Sequence, residues 1–378
     1  MHIVHTESSS GWGGPAIRIL TEAAGLVQRG HRVTLLAPPA ARIHVEARAW
    51  GIESAALPIE SRTPRGLFAL ARWLHAARDV DLINTHGSID SWLASLAVRL
   101  VRRNLPVVCT RHSSAPVKAT AGNCWLYGKA ARRVVTSGEA LRRELIDTLG
   151  LDFSHVVSVP TGIDLARFSP QAAPTQAQAR KALNLPLEGY MIGVAANLTA
   201  SKGHEDLLAA FESVAGSYPD MTLVIAGEGP LRPHLEAIRQ ASAYRQRILM
   251  PGHQENVPVL LAALNLFVLP SQANEGVPQA IVQAMAMRLP VISTTVGAIS
   301  DAVADGETGL LLPPRAPDLL ANAIRRLRRN HMLGRSFGDA GRLIVERKFT
   351  AAGMVDAMLD VFERCAAGNA RGAALASR

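Results

Sequence analysis

Short apolar runs alternate along the first part of the chain with longer segments in which apolar residues recur at helical spacing. The runs have the length and composition of buried β-strands and stand at residues 2–5, 32–38, 80–86, 106–112, 132–138 and 155–162. The segment from Ala16 to Arg29 is amphipathic, follows Pro15 and stops before Gly30, which are signals of a helix start and end. Strands that alternate with helices predict a parallel, doubly wound sheet.

The alternation stops between residues 164 and 188, where Pro, Gln and Ala dominate, and then begins again. Further apolar runs stand at 190–198, 221–229, 247–252, 264–271 and 289–297, helical segments at 204–218 and 350–364. Because 378 residues exceed the size of about 250–300 at which one core stops growing, we expect two domains. The predicted organisation is a Rossmann-like domain (1–165), a linker (166–188), a second Rossmann-like domain (189–345), a helix packed back on the first domain (346–366) and a disordered tail (367–378).

Composition narrows the class of protein. Hydrophobic residues make up 48% and aromatic residues only 4%, so aliphatic side chains must fill the cores. Cys109, Cys124 and Cys365 lie far apart with no Cys-x-x-Cys pair, which indicates neither a disulfide framework nor a zinc site. The first residues lack the apolar run of a signal peptide, and no stretch approaches about 18 apolar residues, so we expect a cytoplasmic protein without a membrane span.

Positive charge is concentrated in one segment, from Arg99 to Glu144, which holds ten basic residues and two acids in a chain of net charge +9. One interpretation is a set of solvated helix faces. The other is a patch that binds an anionic membrane surface or an acidic acceptor, which would place the protein on the inner face of the plasma membrane. Nucleic acid is not expected as a partner, because neither a recognition motif nor an aromatic ladder accompanies the charge.

The loops that follow the strands should carry the chemistry, because ligands of parallel sheets bind outside the carboxyl ends of the strands. The segment 270–287 places Glu275 just before Gly276 and Val277, and Pro278 suits a first helical turn. Backbone N–H groups at this helix start would form an anion site suited to a diphosphate. Gln283 follows eight residues after Glu275 and would share its helical face. The alternative is an acid that complements the helix dipole and a polar surface glutamine.

A second loop, 197–203, places Lys202 and Gly203 directly before the predicted helix at His204. A lysine beside a helix start reinforces an anion site. Taken alone, a Lys-Gly pair before a helix usually has no function, and it gains weight here only because a second phosphate-type loop lies in the same half of the chain.

Several segments together resemble glycosyltransferase family four. The segments 195–211, 223–236 and 247–314 are similar to the C-terminal domain of that family, 159–170 to the motif at its domain junction, and 9–19 to its N-terminal Gly-Gly loop. The resemblance covers about residues 1–350 in order and spacing. It implies the GT-B architecture, in which two Rossmann-like domains face each other across a cleft, and transfer of a sugar with retention of its anomeric configuration.

The family pattern also implies roles for individual residues. Glu275 would contact hydroxyls of the donor sugar, and His112 would lie against the transferred sugar. Lys202 and the backbone of Gly276 and Val277 would hold the donor diphosphate. The other implied contacts are Gln283 at the ribose, Glu228, Gly229, Gly252 and His253 near the phosphates and base, and Gly13, Gly14 and His86 on the acceptor or phosphate side.

Two positions depart from the family pattern. Gln283 stands where the pattern has a second acid, and an amide hydrogen-bonds a ribose without the charge that strengthens the contact. Asn197 stands where an arginine is common, so phosphate neutralisation would depend on Lys202, helix dipoles and either Arg111 or Arg232. These departures leave open a catalytically weak relative that only binds nucleotide sugars.

No Asp-x-Asp pair stands in a loop that follows a strand, so we expect a reaction without metal or other cofactor, with a nucleotide sugar as donor and a saccharide or lipid-linked saccharide as acceptor. The positive N-terminal half suggests an acceptor of the bacterial envelope, of the lipopolysaccharide type. The rival functions are a nucleotide-sugar epimerase and a sugar-nucleotide sensor. A nicotinamide dehydrogenase fits poorly, because the first loop is not Gly-x-Gly-x-x-Gly and no acid ends the second strand.

Overall fold

The computed structural model describes residues 1–112, 115–273 and 275–376, with side chains to residue 367. The chain divides into two compact units, of which one comprises Met1–Gly162 with Ala351–Arg378 and the other Ile163–Thr350. Each unit is a parallel sheet with helices, so the predicted α/β class with two parallel sheets is confirmed. Among the described residues, no helix combines the length and the apolar character needed to cross a bilayer.

The first unit is built on seven parallel strands in the order β3-β2-β1-β4-β5-β6-β7. The strands are β1 His2–Thr6, β2 Arg32–Ala37, β3 Glu53–Ala56, β4 Leu82–Thr85, β5 Val107–Arg111, β6 Arg133–Thr136 and β7 Val156–Ser158. Its helices are α1 Gly14–Gln28, α2 Arg42–Ala47, α3 Pro64–Ala76, α4 Ser88–Leu100, α5 Ala121–Trp125 and α6 Glu139–Leu149, with a 3-10 turn at Arg48–Trp50 and a π-helical turn at Leu126–Ala130. The order of the strands reverses between β1 and β4.

The second unit repeats this plan with six parallel strands in the order β10-β9-β8-β11-β12-β13. The strands are β8 Tyr190–Ala195, β9 Met221–Ala226, β10 Ile248–Gly252, β11 Leu266–Leu269, β12 Val291–Thr294 and β13 Leu310–Leu312. The helices are α7 Gln176–Ala182, α8 His204–Ala215, α9 Arg232–Ala241, α10 Val257–Ala263, α11 Gln279–Ala286, α12 Pro317–Arg329 and α13 His331–Lys348, with 3-10 turns at Ala200–Lys202, Arg245–Arg247 and Ile299–Asp301. Here the order reverses between β8 and β11.

Most strands coincide with the apolar runs of the sequence, because strands covered by helices on both faces bury every side chain. Strands β3 and β13 were not predicted from the sequence, and each lies at an edge of its sheet. Strand β3 is partly exposed along its length, so it lacks the apolar run of a central strand. Strand β13 is only three residues long and ends just before a pair of prolines.

The segment predicted as a linker belongs to the second unit. Helix α7 anchors it through Arg180, which is buried and donates to the carbonyls of Ala263 at 3.0 Å and Leu187 at 2.8 Å. Its third hydrogen bond reaches Oδ1 of Asn265 at 2.8 Å. A Gln- and Ala-rich composition resembles a flexible connection, but one buried arginine ties this segment to the loop before β11.

The C-terminal helix, α14 Ala351–Ala376, packs on the first unit. Met358, Phe362 and Cys365 from this helix join the buried cluster formed by residues of α1 and β1. The helix continues to Ala376, beyond the end at 366 that the sequence suggested, because the alanine-rich segment favours helix more than its small residues imply. The last two residues, 377 and 378, lie outside the described part of the chain.

Candidate functional site

The carboxyl edge of the second sheet, where β8 and β11 are neighbours, brings two predicted site residues together. Helices leave this edge in opposite directions on either side of a strand-order reversal, and ligands of open α/β sheets bind there. Lys202 ends the 3-10 turn after β8, and Glu275 lies in the loop after β11. Residues 73 positions apart in the chain therefore meet at one point of the sheet.

An ion pair joins the two side chains. Nζ of Lys202 lies 2.5 Å from Oε1 of Glu275, which also accepts a hydrogen bond from Oγ of Ser271 at 2.6 Å. Glu275 is buried, whereas the Lys202 side chain remains 23% exposed. The carboxylate is thus held from two sides, and the ammonium group is fixed at the rim of the sheet.

Gly203 brings the two loops into contact. Its φ of +68° lies in the left-handed region, and a Cβ added there would collide with the carbonyl oxygen of Pro270 at the end of β11. Only glycine combines this conformation with so close an approach of two backbones. The Lys202 loop and the Glu275 loop are therefore packed directly on each other.

Helix α11 begins at Gln279, directly after Pro278, and Gly276 and Val277 lie buried in the preceding loop. Glu275 is thus outside the helix and does not share a helical face with Gln283, contrary to the prediction. Gln283 is only 8% exposed within α11, so the alternative of a polar surface glutamine is also wrong.

The loops after β8, β9 and β10 lie side by side at the same edge. The backbone N–H of Leu198 donates to the carbonyl of Glu228 at 2.9 Å, and that of Gly227 to Gly252 at 2.9 Å. The Glu228 carboxylate is exposed and pairs with Arg232 at 2.8 Å. The remaining predicted residues, Asn197, Gly229 and His253, lie in these loops, with Asn197 and His253 exposed.

The first unit carries a chain of three imidazoles at the strand-order reversal of its own sheet. Nδ1 of His5, in β1, lies 2.8 Å from Nε2 of His86, which follows β4. Nδ1 of His86 lies 2.9 Å from Nε2 of His112, which follows β5. Both pairs of rings are stacked, with centroids 5.1 Å apart. The chain of imidazoles therefore links His5, inside a buried strand, to His112, the predicted contact of the transferred sugar.

Burial keeps these rings neutral. It lowers the pKa of His5 to about 3 and holds the pKa values of His86 and His112 well below the usual range. Arg18 is the next contribution to the lowered pKa of His112. A neutral imidazole carries one N–H, so His86 in the middle can donate to one neighbouring ring and accept from the other.

Two charged residues of α1 lie beside the imidazoles. Arg18 is 1% exposed, and its Nη1 donates to Oγ1 of Thr161 at 3.2 Å. Glu22 is fully buried and accepts from Nδ2 of Asn84 at 3.1 Å, with Nε2 of His5 4.0 Å away. Burial lowers the pKa of Arg18 and raises the pKa of Glu22 to about 7, against the attraction between the two.

A pair of carboxyl groups completes the polar interior of this edge. Asp90 accepts hydrogen bonds from Oγ1 of Thr6 at 2.8 Å, Oγ of Ser8 at 3.0 Å and the backbone N–H of His86 at 2.8 Å. Burial raises the pKa of Glu7, and the charge of Asp90 raises it further. Asp90 thereby fixes the backbone from which His86 projects.

The Gly-Gly loop lies where the sequence predicted it. Gly13 precedes α1, and Gly14 is its first residue, so the loop after β1 feeds directly into a helix start. Of the two arginines considered for phosphate neutralisation, Arg232 pairs with Glu228 and Glu236, at 2.8 and 2.9 Å. Arg111 donates to Oη of Tyr127 at 3.0 Å.

Two family models match the chain. One described as Glycosyl transferases group 1 matches residues 189–330, and one described as Glycosyltransferase Family 4 matches residues 12–167. Together they cover most of both units. The chain belongs to glycosyltransferase family 4.

Curated relatives of the chain include the D-inositol 3-phosphate glycosyltransferase of Salinispora tropica. It is 31% identical over 299 residues, which are 72% of this chain and 60% of that protein. The alpha-maltose-1-phosphate synthase of Mycolicibacterium smegmatis is 26% identical over 341 residues, 81% of this chain and 86% of that protein. The chain thus spans less than two thirds of the Salinispora enzyme's length.

Solved structures share the fold of the chain. A glycosyltransferase from Rickettsia africae superposes with a TM-score of 0.86 at 17% identity, over 96% of this chain and 98% of that one. Anabaena HepE in complex with UDP-glucose superposes with a TM-score of 0.84 at 19% identity, over 96% of this chain and 100% of that one. These similarities support the GT-B fold that the resemblance implied.

Four buried charged or polar residues of the first unit were not predicted from the sequence. Arg18 and Glu22 interrupt the apolar face of α1 at a spacing of one turn, and His5 and Asn84 stand within apolar strands. A charge on the apolar face of a helix was the available signal. Among the residues that the structure describes, no group of three or more His, Cys, Asp or Glu side chains is placed to hold a metal ion.

The raised pKa of Glu22 predicts a stability change with pH in the first unit. Glu22 holds its proton more tightly in the folded chain than in the unfolded chain, where its pKa is near 4.5. The contribution of this proton to the free energy of unfolding is therefore complete below pH 4.5 and is lost as the pH rises through 7. The lowered histidine pKa values oppose this trend until the histidines of the unfolded chain have lost their protons, about half of them at pH 6.5 and nearly all by about pH 7.5. We expect the unit to lose about 1 kcal/mol between pH 6.5 and 8 from Glu22 alone.

Urea unfolding followed by tryptophan fluorescence measures this, because all five tryptophans of the chain lie in the first unit. Glu22→Gln is expected to reduce the fall, and Glu7→Gln combined with it to reduce the fall further. Glu144→Gln, at an exposed position of α6, should leave the fall unchanged. Stability that stays level or rises between pH 6.5 and 8 in the wild-type protein would contradict the prediction.

Proposed function

We propose that the protein transfers a hexose-type sugar from a nucleoside-diphosphate donor to a hydroxyl of a saccharide or lipid-linked saccharide, with retention of configuration. The observation that carries the proposal is the Lys202–Glu275 ion pair at the strand-order reversal of the second sheet. The names of the Salinispora and Mycolicibacterium relatives and the UDP-glucose bound to HepE support the same reaction class.

The departing nucleoside diphosphate gains negative charge as its bond to the sugar breaks, and the second unit supplies positive groups to meet it. The Lys202 ammonium is one, held in place by Glu275. The start of α11, with Gly276 and Val277 before it, is another, because backbone N–H groups and the helix dipole favour an anion there. Fixed positive groups of this kind stabilise a leaving group without reorganisation.

We assign sugar recognition to Glu275, whose carboxylate accepts hydrogen bonds from hydroxyls, and ribose recognition to the amide of Gln283. Glu228, Gly229, Gly252, His253 and Asn197 border the phosphates and base in this proposal.

In the first unit, we assign acceptor recognition to the loops that carry Gly13, Gly14 and His86, and contact with the transferred sugar to His112. The bond from the sugar to the phosphate oxygen breaks, and the acceptor oxygen bonds to the same face of the sugar. The acceptor proton passes to the departing phosphate oxygen, so no carboxylate nucleophile and no metal ion is required.

The acceptor we favour is an anionic or lipid-linked saccharide of the bacterial envelope, of the lipopolysaccharide type, reached from the inner face of the plasma membrane. The support is the cluster of basic residues in the first unit between Arg99 and Arg143.

A two-stage assay tests the function. A thermal-shift screen of UDP-, GDP- and ADP-sugars identifies the donor, because a ligand that binds the folded state raises Tm. Mass spectrometry with a panel of saccharide and lipid-linked acceptors then detects the product. We expect one nucleoside diphosphate released for each sugar transferred, at a rate that excess chelator leaves unchanged. An altered sugar formed without acceptor indicates an epimerase, and donor binding without turnover indicates a sensor.

A further inference from the structure

The first unit contains a pocket of about 630 Å³ at the edge of its sheet opposite the imidazole chain. It lies at the amino ends of β5, β6 and β7, beside the second half of α4, and Cys365 of α14 contributes to its wall. Strands of four or five residues separate it from the carboxyl edge by roughly 13–17 Å. This amino-edge pocket has the volume of a site for a small molecule.

Basic side chains dominate the lining. Arg99, Arg103, Lys129, Arg132 and Arg133 all line the amino-edge pocket, and no aspartate or glutamate among the described residues does. All five come from the basic segment between Arg99 and Arg143, which the proposed function uses only as support for an acceptor at a membrane surface and not for contacts with the donor or the transferred sugar. The fold of the sheet therefore brings positive side chains that are separated in the sequence together on one concave surface.

Two of these cations have structural roles. Arg103 donates to the carbonyls of Leu74 at 2.9 Å and Ala77 at 2.8 Å, at the end of α3, and to two further carbonyls beyond it. The guanidinium of Arg99 lies over the ring of Trp125, 4.6 Å from its centroid. Arg103 is thus committed to the backbone, whereas Arg99 keeps an exposed face.

The other three cations lack acidic partners. Within the described part of the chain, no carboxylate lies within 4.0 Å of the charged nitrogens of Lys129, Arg132 or Arg133, although ion pairs join many other arginines. Lys129 and Arg132 are exposed, and Arg133 is half-buried. Like charges gathered in a concavity without counter-charges repel one another, and a bound anion removes that repulsion.

We propose that the amino-edge pocket binds a phosphorylated ligand, with Lys129, Arg132 and Arg133 as its phosphate contacts and Arg99 at the rim. Arginine guanidinium groups match phosphate geometry in bidentate pairs, and lysine adds a mobile point charge. The phosphate belongs either to a free sugar phosphate or diphosphate or to a lipid headgroup presented to the pocket. This site is separate from the donor and acceptor sites of the proposed function.

Isothermal titration with pyrophosphate and flotation with vesicles of phosphatidylcholine containing phosphatidylglycerol test the proposal. Lys129→Ala/Arg132→Ala removes two charges from the pocket. Lys118→Ala/Arg143→Ala removes two exposed charges from the same basic segment outside it. Titrations in the Lys202→Ala background exclude pyrophosphate bound at the donor site.

We expect the pocket variant to raise the Kd for pyrophosphate, or to lower the fraction of protein floated, by about tenfold or more, and the control pair to change neither by more than about twofold. A loss confined to pyrophosphate identifies a free phosphate, and a loss confined to vesicles a headgroup. Equal losses in both variants, no loss in either, or pyrophosphate binding that disappears with Lys202 alone would overturn the proposal. Arg133→Ala serves as a second pocket variant where the double variant does not fold.

Discussion

Glu275→Ala and Lys202→Ala are each expected to lower kcat/KM for glycosyl transfer by about 100- to 1000-fold, the usual effect of removing one preorganised charge partner from a developing anion. Lys202 would lose the carboxylate that holds it 2.5 Å away at the rim of the sheet. Glu275 would lose the cation that balances its buried charge. Because the two side chains act as a pair, the double variant should be little worse than either single variant.

Initial rates with the donor found in the thermal-shift screen measure this effect, with the melting temperature of each variant as a check on folding. Asp220→Ala is the matched control, since Asp220 forms an ion pair with Arg328 at 2.8 Å in the same unit but directly before β9, at the amino edge of the sheet. Its activity should stay within about twofold of the wild type, as expected for one exposed ion pair. Full activity in both Glu275→Ala and Lys202→Ala would refute the assignment.

The position of this pair follows from sequence patterns to a large extent. Apolar runs located β8 and β11, and turn residues located the loops after them, so the strand alternation already placed Lys202 and Glu275 at one edge. The spacing of residues along the chain does not predict the order of the strands in the sheet. That order makes β8 and β11 neighbours. The direct contact also depends on Gly203, whose close approach to Pro270 is a tertiary feature.

The periodicity of apolar residues does not predict the buried polar residues of the first unit. A buried histidine in an apolar strand, such as His5, satisfies the same periodicity as any other inward residue. Its partners His86 and His112 were singled out for their places at strand ends, but their hydrogen bonds with His5 depend on strands that are distant in sequence. Arg18 and Glu22 carry the one local signal, a pair of charges within the apolar face of α1.

The edge strands β3 and β13 and the connection around α7 were the least predictable parts of the fold. Strands β3 and β13 have one neighbour each, so their sequences need little of the apolar character that marks a central strand. The segment around α7 has the composition of a connection, and its place in the second unit rests on the hydrogen bonds of Arg180. In both cases the local composition predicts the structure of a segment only when the residues that pack against it are also known.

The last expected result concerns the helix that closes the first unit. Phe362→Ala should destabilise that unit by about 3–5 kcal/mol, because it deletes a fully buried aromatic side chain and leaves a cavity. Phe362 joins α14 to the cluster of α1 and β1, and its ring meets that of His5 edge-on, with centroids 6.4 Å apart. Loss of this contact should also loosen the imidazole chain that ends at His112.

Urea unfolding followed by tryptophan fluorescence measures the loss in the first unit, and Phe68→Ala is the matched control. Phe68 lies in α3 of the same unit but is 61% exposed, so its replacement should change stability by no more than about 0.5 kcal/mol. Because His112 is assigned to the transferred sugar, transfer activity should fall in Phe362→Ala even where the protein remains folded. Equal stability of the two variants would mean that α14 covers the first unit without forming part of its core, and the imidazole chain would then need another support.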